Sequence, residues 1–190
     1  MGIRLVRRED ASEMVLMVMV SAITALMSLR IYLELTDYPR IGRGIWHISH
    51  ALTGGLVMAA GQLVNLIWHG DRARKISAVI FGIGFGWFID ELGKYITTDY
   101  DYLFKPAFSF IYIVFVLLFL LYWWLEREFP KDPRTLTYQV LNQLEDIADN
   151  NLTKPEKDKA LTNLKLISSK GTEESRLLAR RLHRIVEETE

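Results

Sequence analysis

Four stretches of the chain, residues 14–35, 45–68, 76–96 and 106–125, are apolar enough and long enough to cross a hydrocarbon core of roughly 30 Å, which takes about 20 helical residues. The fourth has no charged residue between Lys105 and Glu126, and the second none between Arg43 and Asp71. The first and third carry charges near one end, but their interiors, 15–29 and 76–89, are equally apolar. Lipid offers no partner for a backbone N–H or C=O, so short connections between such stretches leave closely packed antiparallel helices as the solution. Beyond Pro130 and Pro133 the pattern changes. Leu136, Val140, Leu141, Leu144 and Ile147 recur at helical spacing, as do Leu161, Leu164 and Ile167, then Leu177, Leu178, Leu182 and Ile185. Asp132 before Pro133, Thr153 before Lys154-Pro155-Glu156 and Thr172 after Gly171 supply the helix starts. The pattern predicts an all-α chain: a four-span transmembrane bundle over residues 1–130, then a cytoplasmic tail of about three short helices over residues 131–190.

Charge sharpens this division. Residues 131–190 carry eleven basic and eleven acidic residues, almost as many as the whole of the longer front part. A chain of 190 residues that is 50% hydrophobic and contains no cysteine is neither disordered nor a disulfide scaffold. Arg4, Arg7, Arg8, Arg72, Arg74, Lys75, Arg127, Lys131 and Arg134 flank the spans on one side, against Arg40, Arg43 and Lys105 on the other. The excess of basic residues marks the cytoplasmic face, which places both termini inside a cytoplasmic membrane and residues 37–44 and 97–105 outside. No small-residue cleavage site follows the first apolar stretch, and Arg30 and Glu34 stand where one would be, so it is expected to be a retained span rather than a signal peptide. In the tail, Arg176, Arg180, Arg181 and Arg184 are balanced by acids, which argues against nucleic-acid binding. The expected partners are the lipid bilayer and further copies of the chain in a homo-oligomer.

Polar groups within membrane spans are costly and mark functional sites. Arg30 and Glu34 near the end of the first span, His47 and His50 at the start of the second, and Asp90, Glu91 and Lys94 near the end of the third all fall within about 10 Å of the outer ends. Asp99 and Asp101 follow in the next loop. Gly82, Gly86, Asp90 and Lys94 form one stripe at steps of four, and His47, His50, Gly54 and Gly61 share a face of the second span. Small residues let helices approach closely in lipid, so the two glycine faces are expected to meet, bringing the histidines to Asp90. Glu34, Asp90, Glu91, Asp99 and Asp101 outnumber Arg30, Lys94 and Lys105 by two charges. A divalent cation, zinc, iron or manganese, held by His47, His50, Asp90 and Glu91 would cancel the excess, with Arg30, Glu34, Lys94, Asp99 and Asp101 around it. Protonation of two groups would do so as well. The competing reading is an ion-pair network in which the cations neutralise the acids and the histidines hydrogen-bond to them.

Other chemistries fit less well. Haem would need ligands on facing helices, whereas His47 and His50 share one. There is no phosphate loop for a nucleotide, no nucleophile elbow and no cysteine. Ser49 shares neither histidine's side of a helix. Gly82-Ile83-Gly84-Phe85-Gly86 lacks the threonines of a potassium filter.

Trp46-His47-Ile48-Ser49-His50, Phe85-Gly86-Trp87-Phe88-Ile89-Asp90-Glu91-Leu92-Gly93-Lys94 and Asp99-Tyr100-Asp101-Tyr102-Leu103-Phe104-Lys105-Pro106 together resemble a group of small prokaryotic multi-span membrane proteins to which no activity is attached. The resemblance covers about residues 45–110 and implies that these motifs form one site, without naming a substrate. A transporter or channel subunit for cations is the leading expectation, and it calls for polar residues continuing inward; Ser21, Thr24, Ser28, Thr53, Gln62, Asn65 and Ser77 are the candidates. The alternative is a metal-dependent hydrolase of a lipid or envelope substrate, with Glu91 as general base and Lys94 or Arg30 holding an anionic group. A structural or assembly role is the third.

Overall fold

The computed structural model describes residues 6–36, 50–96, 105–127, 133–148 and 154–188. The described chain is all-α, with helices α1 (Ala11–Leu35), α2 (His50–Ile67), α3 (Asp71–Ile96), α4 (Lys105–Glu126), α5 (Pro133–Ala148), α6 (Lys154–Lys170) and α7 (Glu173–Glu188). It divides into two compact units, Ser12–Arg127 and a second made of Met1–Ala11 with Glu128–Glu190. Among the described residues, two helices are long and apolar enough to cross a membrane, Ala11–Leu35 and the Ser109–Glu126 part of α4. α2 is apolar but shorter over Ala51–Ile67, because the residues the pattern adds before His50 lie outside the described ones. α3 carries Arg74 and Lys75 at one end and Asp90 and Glu91 at the other.

Local chemistry sets the first unit's turns. α1 ends where the Thr36 N–H and Oγ1 both donate to the Tyr32 carbonyl, at 3.0 and 2.7 Å, satisfying an acceptor that the last turn leaves open. α2 stops at the Trp68 N–H bond to Val64 O, and Gly70, at φ 95°, takes the left-handed conformation that reverses the chain within three residues. The tight reversal makes α2 and α3 antiparallel neighbours. Asp71 then opens α3 and receives Lys75 Nζ at 2.8 Å, while Lys75 also reaches Glu13 at the start of α1, at 3.2 Å. The hydrogen bond to Asp71, with Glu13 behind it, raises the Lys75 ammonium above its ordinary value.

α3 is the centre of the first unit, and its glycines decide what lies on each side. A Cβ at Gly54 would stand 2.6 Å from Phe88 N, one at Gly61 2.7 Å from Phe81 N, and one at Gly84 2.5 Å from Met58 N, so α2 and α3 touch backbone to backbone. Gly82 and Gly86 are turned elsewhere. A Cβ at Gly82 would stand 2.5 Å from Val18 O and one at Gly86 would strike the Ala22 carbonyl, both on α1. The expected meeting of Gly82 and Gly86 with Gly54 and Gly61 is thus corrected. At 100° per residue Gly84 lies on the opposite side of α3 from Gly82 and Gly86, and it is Gly84 that meets α2. α4 packs beside α3 with none of its described side chains buried.

In the second unit, Leu136, Val140, Ala160, Leu164, Ile167, Ala179, Leu182 and Val186 form the core. Gly171 ends α6 with its N–H on Ile167 O at 2.8 Å, and Thr172 Oγ1 accepts the Ser175 N–H at 3.4 Å, as the sequence pattern expects. Lys159 of α6 pairs with Glu9, which fastens the chain's beginning to this unit.

Candidate functional site

Two successive residues of α3 bind two different helices. Asp90 continues the Gly82–Gly86 stripe toward α1, where its Oδ1 accepts the Arg30 Nε–H at 2.5 Å; its side chain is 9% exposed, that of Arg30 33%. Glu91 lies one step round the helix, seven residues beyond Gly84 on the α2 side. It is 3% exposed, and its Oε2 accepts the backbone N–H of Ala51 in the first turn of α2. Each carboxylate therefore faces compensating positive charge, the guanidinium for Asp90 and the amide end of the α2 dipole for Glu91. Asp90 is phased toward α1, and the described acid at the start of α2 is Glu91; the expected meeting of the histidines with Asp90 falls on side chains outside the described residues.

His50 is the first residue of α2. Its side chain lies outside the described residues, as do that of Lys94, which α3 carries, and all of His47, Asp99 and Asp101. Glu34, one turn beyond Arg30, is exposed. Among the described residues no three His, Cys, Asp or Glu side chains gather at one point.

Four of the seven polar residues named by the sequence share one groove. Ser21, Thr24 and Ser28 of α1 and Thr53 of α2 lie along this groove of about 1020 Å³. Its walls are otherwise mostly apolar, from Leu16, Val20 and Leu29 of α1 and Val79 and Ile83 of α3, with Trp87 of α3 and Tyr32 of α1 toward the Arg30 end. Ser21 Oγ donates to Met17 O at 2.6 Å and Thr24 Oγ1 to Val20 O at 2.8 Å. A hydroxyl whose proton is committed to its own helix presents only oxygen lone pairs to its surroundings, an arrangement that suits a cation and not an anion. Gln62, Asn65 and Ser77 do not line this groove. The signal for it in the sequence was the step of three and four between Ser21, Thr24 and Ser28; which helix would face them was not encoded there.

At the other end of the unit, Lys75–Glu13 and Lys75–Asp71 form a second polar layer. From Glu13 to Arg30 is about 26 Å along α1, and from Lys75 to Asp90 about 23 Å along α3, at 1.5 Å per residue. Between the layers neither helix carries a charge. No family model, curated protein or solved structure matches the chain.

Proposed function

We propose that the chain is an integral protein of a prokaryotic cytoplasmic membrane that crosses it four times with both termini inside, and that its outer-facing His/Asp/Glu cluster binds a cation as part of a transporter or channel subunit. Two ion-pair layers about 25 Å apart, with uncharged helix between them, match a hydrocarbon core of roughly 30 Å and support α1 and α3 as parallel crossings with α2 returning between them. What favours transport over hydrolysis in this reading is the groove, mostly apolar but carrying the hydroxyls of Ser28, Thr24 and Ser21 in a line along α1. A hydrolytic site confined to one depth has no use for such a line. In this reading Glu91, buried against the helix that His50 opens, joins His47 and His50, with Asp90 beside it, in holding a divalent ion such as zinc, iron or manganese.

The test is metal content and thermal stability of the purified protein. Stoichiometric zinc, iron or manganese in the wild type, lost in a folded His50→Ala variant, is the expected result. A wild type with no bound metal and no thermal response to any of the three ions leaves protons or monovalent cations as the bound species, and flux into vesicles that is unchanged by Thr24→Val would remove the groove from the path. A second reading, a self-neutralised structural clamp, is favoured by the Arg30–Asp90 pair, and the Asp90 variants described below separate it from the first.

A further inference from the structure

α7 has two faces, and the fold accounts for only one. Ala179, Leu182 and Val186 are buried in the core of the second unit. On the opposite arc, at 100° per residue, Arg180, Arg184, Leu177, Arg181, Ile185 and Leu178 follow one another across roughly 160°. All six are exposed, Leu177 by 57% and Ile185 by 50%. Arg176, just outside this arc, donates to Gly171 O at 2.8 Å, but Arg180, Arg181 and Arg184 have no acid partner among the described residues. The acids of α7, Glu173, Glu174, Glu187 and Glu188, sit in its end turns, three of them on this same arc, so the basic character is confined to the middle two turns, where Arg180, Arg181 and Arg184 are interleaved with exposed aliphatic side chains.

We infer that this face of α7 docks on an anionic lipid bilayer surface. A solvated face gains nothing from Leu177, Leu178 and Ile185, and a nucleic acid would reward the arginines while leaving those three in water. A headgroup layer rewards both: lipid phosphates take the guanidinium groups, whose stems lie flat, and the aliphatic side chains enter the acyl boundary. The connection from Arg127 to Pro133 is six peptide steps, about 21 Å at full extension, so a membrane crossed by α4 is supplied to the tail at high effective concentration. The inference rests on reading α4 as a membrane span.

The chain has no cysteine, so a single Glu174→Cys, on this arc one turn before Leu178 and outside its apolar set, accepts a fluorophore on the full-length protein. The protein is placed in nanodiscs of phosphatidylcholine alone or of an equal mixture with phosphatidylglycerol, each containing brominated lipid as quencher. Quenching in the mixed discs, weak in phosphatidylcholine and relieved by high salt, is expected. Each Arg→Gln change at 180, 181 and 184 should lower the bound-to-free ratio about fivefold, and the three together roughly a hundredfold. Arg181→Gln alone serves if the triple variant loses helicity. Equal quenching in both lipids, or quenching indifferent to the arginines, overturns the inference. So does a signal that follows protein concentration in phosphatidylcholine discs, which assigns the face to a second copy, or one that only added RNA produces. Failure of the chain to co-purify with lipid sinks the membrane reading itself, whereas a chain retained in discs with an unquenched label sinks this inference alone.

Discussion

Asp90 and Glu91 show how one peptide step redirects chemistry. They are chemically near equivalents, but 100° of helical rotation gives one a guanidinium and the other a helix start. If the Arg30–Asp90 pair is principally a clamp, Asp90→Asn removes the counter-charge in a low-dielectric setting. The loss should then fall toward the lower end of about 3–5 kcal/mol, since Arg30 keeps a third of its side chain exposed. Combining it with Arg30→Leu should recover part of the loss, because no buried charge then remains; thermal unfolding in nanodiscs reads both. A double variant no better than Asp90→Asn would mean that the carboxylate is needed for more than pairing. At the inner layer the sign of pH dependence is fixed by Lys75. Its ammonium is held above 10.5 by Asp71 and Glu13, so its contribution is fully present below that pH and is lost as pH rises through the raised value. The melting temperature should therefore fall on the alkaline side, and Lys75→Met should flatten that fall. The effect is small, as the pair is partly solvated.

At the scale of elements, the glycines define which helices touch. Gly61→Leu would drive its side chain into the Phe81 backbone and part α2 from α3, and Gly86→Leu would do the same between α3 and α1. Both should cost more than the about 1–3 kcal/mol typical of overpacking, because the obstacle is backbone and not a side chain that can turn away. Gly55, with nothing within 4 Å of its Cβ position, is the control: Gly55→Ala should leave thermal stability unchanged or raise it through helix propensity. Crosslinking between α2 and α3 that survives Gly86→Leu but not Gly61→Leu would confirm which seam each glycine serves. The sequence made the helices and their small-residue faces legible because apolar periodicity is local. It did not tell which of the faces of α3 meets which neighbour, since Gly82, Gly84 and Gly86 leave that helix smooth on two sides and the choice belongs to tertiary packing. The tail repeats the lesson. Leu136, Val140, Leu164, Ile167 and Leu182 are in its core as periodicity indicates, but Leu177, Leu178 and Ile185 are exposed while Ala160, Ala179 and Val186 are buried, small side chains being chosen where helices close on one another.

For the molecule as a whole, the direction of the helices can be converted into sidedness. Lys75–Glu13 joins the beginnings of α1 and α3, and Arg30–Asp90 joins them about 25 Å further along, so the two helices run the same way. The turn around Gly70 then lies on the same side as the start of α1, and both are flanked by basic residues: Arg7 and Arg8, then Arg72, Arg74 and Lys75. On the proposed membrane reading, basic residues close to span ends are retained in the cytoplasm, so this side is expected to be the inner one. The absence of native cysteine allows single cysteines to report it. Arg40→Cys and Asp101→Cys should react with a membrane-impermeant thiol reagent in intact cells. Arg72→Cys should react only after permeabilisation; Arg72 is chosen because its side chain is exposed, whereas Arg74 is held by Asp71 at 3.6 Å. Labelling of Arg72→Cys alone in intact cells would invert the protein and turn the Asp90–Glu91 end inward. Labelling of all three would mean that α2 and α3 do not cross, and the two polar layers would then need an explanation other than the thickness of a bilayer.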